Sequence, residues 1–249
     1  MINTLMDYST QDSVFASHKD ILLGLIYTHT DQLELANTYL DNYLLKNFND
    51  LLTILLFFFL SIFVFIFSIG SDKEILKSIG IGILWSLLLL SSTLSLKRYY
   101  QEDFENGALV IIHMSGLSYE LISILKIFSH FIFVQIPFLI SIPLASILIN
   151  LPFEKTALLL LSFLIGSLIL SCLGSISSSM NLLNKRNFSL GSIIVMVFSI
   201  PVIIFSVGIV NSNDNFIPLL NILLGILLIF IAITPWVSGL CIRLALENK

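Results

Sequence analysis

The stretch LLTILLFFFLSIFVFIFSI, Leu51 to Ile69, contains no charged side chain, and only Thr53, Ser61 and Ser68 interrupt its apolar residues. A helix of about 20 apolar residues crosses the hydrocarbon core of a bilayer, so this run reads as a membrane span. Five more runs of the same character follow, at about 79–96, 127–149, 156–180, 189–210 and 217–239. Short polar breaks part them, Gly70 to Lys73, Asn150 with Pro152, Asn184 to Arg186, and Asn211 to Asn215. Only the connection from Lys97 to Lys126 is long.

Composition agrees with this reading. The chain of 249 residues is 57% hydrophobic and 11% charged, against roughly 25% charged in soluble domains, and its mean hydropathy is +0.99. A water-soluble globular protein is excluded. The fold class is all-α integral membrane, with six transmembrane helices and an amphipathic cytoplasmic loop between spans two and three. A formal charge of -4 offers no basic face to displace counterions from phosphates, so nucleic acid is not a partner. Cys172 and Cys241 stand far apart in apolar runs and form neither a disulfide framework nor a metal knuckle.

Six spans place both termini on one side. If that side is the cytoplasm, only Lys73, Lys77 and Lys155 of the 12 basic residues fall outside, and Arg98, Arg186 and Arg243 all fall inside. Cytoplasmic loops retain Lys and Arg because these residues resist translocation. Residues 1–46 form an acidic cytoplasmic extension, and 47–249 the six-span membrane domain. The extension lacks the basic start and long apolar core of a secretory signal, and its apolar run Ile21–Tyr27 is too short to cross. From Leu33 onward, Ala36, Leu40, Tyr43 and Leu44 recur at helical spacing, the pattern of a helix lying along the inner membrane face or packed on protein.

The chemistry of an enzyme is missing from the sequence. No Gly-Lys-Ser or Gly-Lys-Thr supplies a phosphate-binding loop, so any ATPase activity belongs to another chain. No HExxH, no Cys-x-x-Cys and no paired carboxylates occur inside a span, and no catalytic, cofactor-binding or metal-binding residue is assigned. His130 is the one titratable group of interest within a span. It lies about a turn from the cytoplasmic end, within reach of headgroups, and reads as an interfacial or helix-packing histidine; the sharper alternative is an axial ligand or a proton-sensitive switch. His113, in the long connection, is expected to be solvated.

In the fourth span Ser167, Ser171, Ser175 and Ser179 recur every four residues, beside Gly166 and Gly174. Such a stripe of small residues lets another helix approach closely; a polar lining for a translocation path is the other reading. The connection LKRYYQEDFENGALVIIHMSGLSYELISILK, Leu96 to Lys126, reads as a short helix, a turn at Gly107 and a second helix leading into the third span. On that second helix Leu117, Leu121, Leu125 and Phe128 share one face. Glu102, Asp103 and Glu105 beside apolar residues make either an interfacial segment or a docking surface for a basic partner.

These residues resemble a known group. The loop pattern of Asp103, Gly107 to Leu109, then Ser115, Leu117, Ser118 and Glu120, is similar to that of the membrane subunit of a type-2 ABC exporter. More narrowly, GILWSLLLLSSTLSLKRYYQEDFENGAL (Gly82–Leu109), KIFSH (Lys126–His130), IPVIIFSVGIV (Ile200–Val210) and TPWVSGLCIRLALE (Thr234–Glu247) resemble the haem exporter protein B family (CcmB) of cytochrome c maturation, over about residues 45–247. The chain departs from the family at Gly116, where Pro is common, at Val110, where an acid is common, and in its acidic extension.

The resemblance implies a membrane subunit that is not itself an enzyme. It would pair with a cytosolic ATPase of the haem exporter protein A type and with haem-handling membrane proteins, and would form a homodimer in a bacterial or mitochondrial inner membrane. ATP would act through the partner, with haem as cargo of the complex and no cofactor held directly. The coupling loop would comprise Glu102, Asp103, Phe104, Glu105, Gly107, Ser115, Leu117 and Glu120. Its motion would release a haem-loaded chaperone. An exporter subunit for a lipid or glycan, and a non-transporting assembly scaffold, are the other readings.

Overall fold

The computed structural model describes residues 33–70, 73–105, 107–114, 117–183, 189–212 and 215–248. Expectations resting on Ile21–Tyr27, Ser115, Gly116, Lys185 and Arg186, and on the side-chain faces of Ala36, Leu40, Tyr43 and Leu44, lie outside what is described. The chain divides into two units between Thr53 and Ile54; the account below concerns the second, apart from the backbone of its first helix.

Among the described residues six helices are long and apolar enough to span a membrane. Helix α1 (Leu33–Ile69) includes the first span, Leu51–Ile69, and α2 (Lys73–Leu94) is the second. Two short helices follow, α3 (Lys97–Glu105) and α4 (Ala108–Met114). Helix α5 (Tyr119–His130), a π-turn (Phe131–Gln135) and α6 (Ile136–Leu148) together make the third span. Helices α7 (Phe153–Leu183), α8 (Ser189–Asn211) and α9 (Ile217–Glu247) are the fourth to sixth.

Several spans are longer than expected. The third starts at Tyr119 rather than near 127, because Ser118 caps it by accepting from the Leu121 N–H and no breaker interrupts 119–130. The fourth and sixth each run for 31 residues, about 46 Å at 1.5 Å per residue, well beyond a hydrocarbon core of about 30 Å. The long connection is correspondingly shorter, and it holds two helices of its own.

Helix α7 is the central post, packed against α2, α3, α5, α6, α8 and α9. Two-thirds of its core window (67%) is buried, against 17% for the sixth span. The faces turned away from the post are apolar, with Phe67, Ile140 and Ile147 largely exposed. In water such faces would drive association; in lipid they meet their own solvent. Hydroxyls on these helices bond back to their own backbone, as Ser61 does to the Phe57 carbonyl and Ser68 to the Val64 carbonyl, which keeps them satisfied where no water reaches.

Packing is tightest where α2 meets α7. The Trp85 ring lies 4.2 Å from Phe163, centroid to centroid, and a Cβ built at Gly166 would stand 2.2 Å from the indole. Trp85 is fully buried. Gly166→Ala is therefore expected to cost roughly 1–3 kcal/mol through overpacking, read as a lowered thermal midpoint of the purified chain in detergent. An unchanged midpoint would show that the indole swings aside.

Candidate functional site

The apolar interior forms two clusters. The larger runs through the spans from Ile54 to Leu227, and the smaller gathers Tyr99, Tyr100, Leu109, Ile122, Leu182, Ile242 and Ala245 at one end of the bundle. The smaller cluster is where the Lys97–Lys126 connection folds back. Gly107 permits the reversal, with φ of 74°, a left-handed conformation that costs other residues steric strain. Leu109 then enters the cluster fully buried, while Val110, His113 and Met114 stay exposed. Helix α9 docks on the start of α5 at Gly239, where an added Cβ would meet the Glu120 backbone nitrogen at 3.1 Å.

The expected loop residues separate into two sets. Asp103 is buried and forms an ion pair with Lys126 of α5. Helix α3 turns this carboxylate inward, where a buried charge requires a partner, rather than toward solvent. Glu105 is exposed and accepts a hydrogen bond from Gln101 at 2.6 Å. Glu102, Phe104, Gly107, Leu117 and Glu120 are half-buried, and Phe104 and Leu117 pack on the smaller cluster. Leu121, Leu125 and Phe128 form the exposed apolar stripe of α5. His113 is exposed but not simply solvated: it stacks on Tyr119 at 4.0 Å and its Nδ1 donates to the Leu117 carbonyl at 2.9 Å.

Between the two clusters lies a layer of polar side chains. Ser175 Oγ is 2.7 Å from the Tyr100 hydroxyl, 3.2 Å from Ser123 Oγ and 3.0 Å from Ser238 Oγ. The Tyr99 hydroxyl donates to the Ser171 carbonyl at 2.9 Å, and Ser178 Oγ donates to the Leu96 carbonyl at 3.0 Å. Gln135 Nε2 donates to Ser92 Oγ at 3.3 Å. These bonds tie the second, third, fourth and sixth spans together.

His130 sits within this layer, so the expectation that it reaches headgroups or solvent is corrected. It is buried, its ring tilted against that of Tyr99 at 4.7 Å, with Ser95 Oγ 2.8 Å from Nε2 and Ser171 Oγ 3.1 Å from Nδ1. Ser95 spends its one proton on the Ser92 carbonyl at 2.6 Å. Each ring nitrogen thus has a serine hydroxyl within hydrogen-bond distance, one nitrogen donating and the other accepting in the neutral imidazole. Among the described residues no group of three or more His, Cys, Asp or Glu stands ready to hold a metal ion.

The serine stripe is buried throughout, and Gly174 admits Leu96 and Tyr99 closely. Its members do different things. Ser171 and Ser175 bond across to other helices, whereas Ser167 and Ser179 bond their own carbonyls at Leu164 and Ile176. The sequence reading missed Tyr99, Tyr100, Ser92, Ser95, Ser123, Gln135 and Ser238. Two adjacent tyrosines at a span end, and a glutamine inside a span, were the available signals, since polar groups inside a membrane face the bundle interior.

Serine, tyrosine, glutamine and histidine side chains thus meet in one buried layer that joins four spans. Comparison with known proteins places the chain in a family. The sequence profile of the CcmB protein family matches residues 43–245. A protein named Heme exporter protein B in Haemophilus influenzae is 28% identical over 202 residues, covering 80% of this chain and 91% of its own. Its namesake in Rhodobacter capsulatus is 30% identical over 196 residues, covering 78% and 90%. A ccmB-like mitochondrial protein of cytochrome c biogenesis from Marchantia polymorpha is 27% identical over 208 residues, covering 83% and 72%. With the matched region spanning all six spans, the chain belongs to the CcmB protein family.

Proposed function

We propose that the chain is the membrane subunit of a haem-export machine of cytochrome c maturation, driven by ATP hydrolysis in a separate cytosolic subunit. The observation that carries this is the match to proteins named Heme exporter protein B along nearly their whole length. Lys97 and Arg98 directly precede Tyr99 and Tyr100 of the smaller apolar cluster, and Lys126 and Arg243 lie on the helices that supply its Ile122 and Ile242, which supports placing that end and both termini in the cytoplasm. Helices α3 and α4 are then the coupling element. Their outward residues, Glu105, Val110, His113 and Met114, meet the ATPase subunit, and the buried Asp103–Lys126 pair passes its movement to the third span. The movement releases a haem-loaded chaperone from a neighbouring membrane protein rather than carrying haem across. A homodimer matches the two ATPase subunits such a machine closes around one axis. The membrane is a bacterial or mitochondrial inner membrane.

Deleting the chain is expected to abolish covalent haem in c-type cytochromes, scored by haem staining, and re-expression to restore it. Cytochromes left intact while a membrane lipid or glycan is lost would transfer the chain to another cargo. Purification of the chain with no ATPase bound would leave it an assembly scaffold.

A further inference from the structure

In the second to sixth spans the ends opposite the smaller cluster lie at short connections, with helices starting or stopping at Lys73, Leu148, Phe153, Asn211 and Ile217. About 20 residues inward from each, the number that crosses a hydrocarbon core, stand Ser92, Ser129, Cys172, Ser192 and Trp236. Ser92 belongs to the hydroxyl layer, Ser129 and Cys172 adjoin its His130 and Ser171, and Trp236 lies just before its Ser238. The second and fifth spans stop close to this level, at Leu94 and Ser189. The third, fourth and sixth continue to Tyr119, Leu183 and Glu247, about ten residues and 15 Å further.

Charge and exposure change at the same level. No Asp, Glu, Lys or Arg occurs in 78–96, 127–148 or 217–242, and Lys97, Lys126 and Arg243 are the first beyond it. Short of the level, outward residues such as Ile140 and Leu228 are apolar and largely exposed. At the level itself Trp236 turns outward, 71% exposed, while His130 is enclosed, because the third span runs on past it. An indole has an apolar body and one N–H, and tryptophan gathers where hydrocarbon gives way to headgroups. Trp85, the chain's other tryptophan, is fully buried in protein.

We propose that Trp236 grips the interfacial zone of the bilayer and that the hydrocarbon ends at the height of the hydroxyl layer. The partner of this exposed position is the lipid headgroup and carbonyl zone, continuous with the lipid that covers the apolar faces of the spans. The smaller cluster then stands beyond the hydrocarbon, since Tyr99 and Tyr100 come after Ser92, and Ile122, Leu182 and Ile242 lie past Ser129, Cys172 and Trp236 on their own helices. So does the Asp103–Lys126 pair, whose charges would be costly within lipid. The two clusters are held by different forces. Burial from water stabilises the smaller, whereas close packing stabilises the larger in a solvent as apolar as itself. This level depends neither on the proposed function nor on which side of the membrane that end faces.

The test uses the full chain in lipid nanodiscs, which expose both faces of the bilayer. Tryptophan emission is compared between wild type and Trp236→Phe, so that the difference reports Trp236 alone. Bromine carried near the carbonyl end of the acyl chains is expected to quench that difference at least about twofold more than bromine near the terminal methyls. Equal quenching, or stronger quenching from the terminal methyls, overturns the proposal. A second readout removes the native thiols with Cys172→Ala and Cys241→Ala and adds either Leu244→Cys or Leu228→Cys, on opposite sides of Trp236 along α9. Leu244 is 39% exposed and Leu228 67%, so exposure on the bare protein favours Leu228. A membrane-impermeant maleimide is nevertheless expected to label Leu244→Cys at least roughly tenfold faster, since the reactive thiolate forms where water reaches. Equal labelling, or faster labelling of Leu228→Cys, places the boundary elsewhere and overturns the proposal. Failure of the chain in the haem assay would remove the proposed function and leave both readouts standing.

Discussion

Replacing Lys126 with methionine is expected to destabilise the folded chain by about 3 kcal/mol. Asp103 is only 6% exposed, and Lys126 of α5 pairs with it. Removing one member of a buried ion pair leaves the other charge short of its counter-charge, at a cost of up to about 3–5 kcal/mol. The Lys126 side chain is 28% exposed, so water screens part of the loss and the lower end of that range applies. The double variant Lys126→Met with Asp103→Asn is expected within about 1 kcal/mol of wild type, because a neutral side chain needs no counter-charge. Denaturation of the purified chain in detergent, followed by loss of helical signal, gives the four corners of the cycle. Additive losses would show that the two residues act separately, and the link between α3 and the third span would have to be sought elsewhere.

This pair also shows where sequence reading runs out. The six spans were legible because twenty apolar residues in a row admit one physical solution, and the covering match of 43–245 to a membrane family agrees. Asp103 was legible as an acid beside other acids, but not as the inward one. Which of Glu102, Asp103 and Glu105 turns to the core depends on where α3 begins, and that is set by the break at Ser95 and Leu96 rather than by any residue within the acidic run.

The depth of His130 was misjudged for a related reason. Its distance from the span end was judged against a span starting near 127, whereas the helix starts at Tyr119 and places His130 about three turns from that start. The serine stripe was legible as a face, since spacing by four fixes the face. Which serines bond across helices was not, because that depends on Tyr100, Ser123 and Ser238 arriving from three other spans.

The same division alters how the docking surface is to be tested. Changing Glu102, Asp103 and Glu105 together would break the buried pair, so loss of a partner could reflect damage to the fold. Residues at the exposed tip avoid this. Met114 is 80% exposed, and Glu105 is exposed with only the hydrogen bond from Gln101 to lose. Substitutions at such positions change stability by about 0.5 kcal/mol or less. Glu105→Lys with Met114→Lys turns an acidic and apolar tip basic, and opposing like charges across an interface costs several kcal/mol. The expected result is at least a roughly tenfold loss of ATPase subunit co-purifying with the chain, with loss of covalent haem in c-type cytochromes and an unchanged amount of chain in the membrane. Salt should weaken the wild-type association, since rim charges are screened beyond about 8–10 Å at physiological ionic strength. Normal co-purification by the double variant would place the contact away from α3 and α4, and the coupling role would pass to another surface at the same end of the bundle.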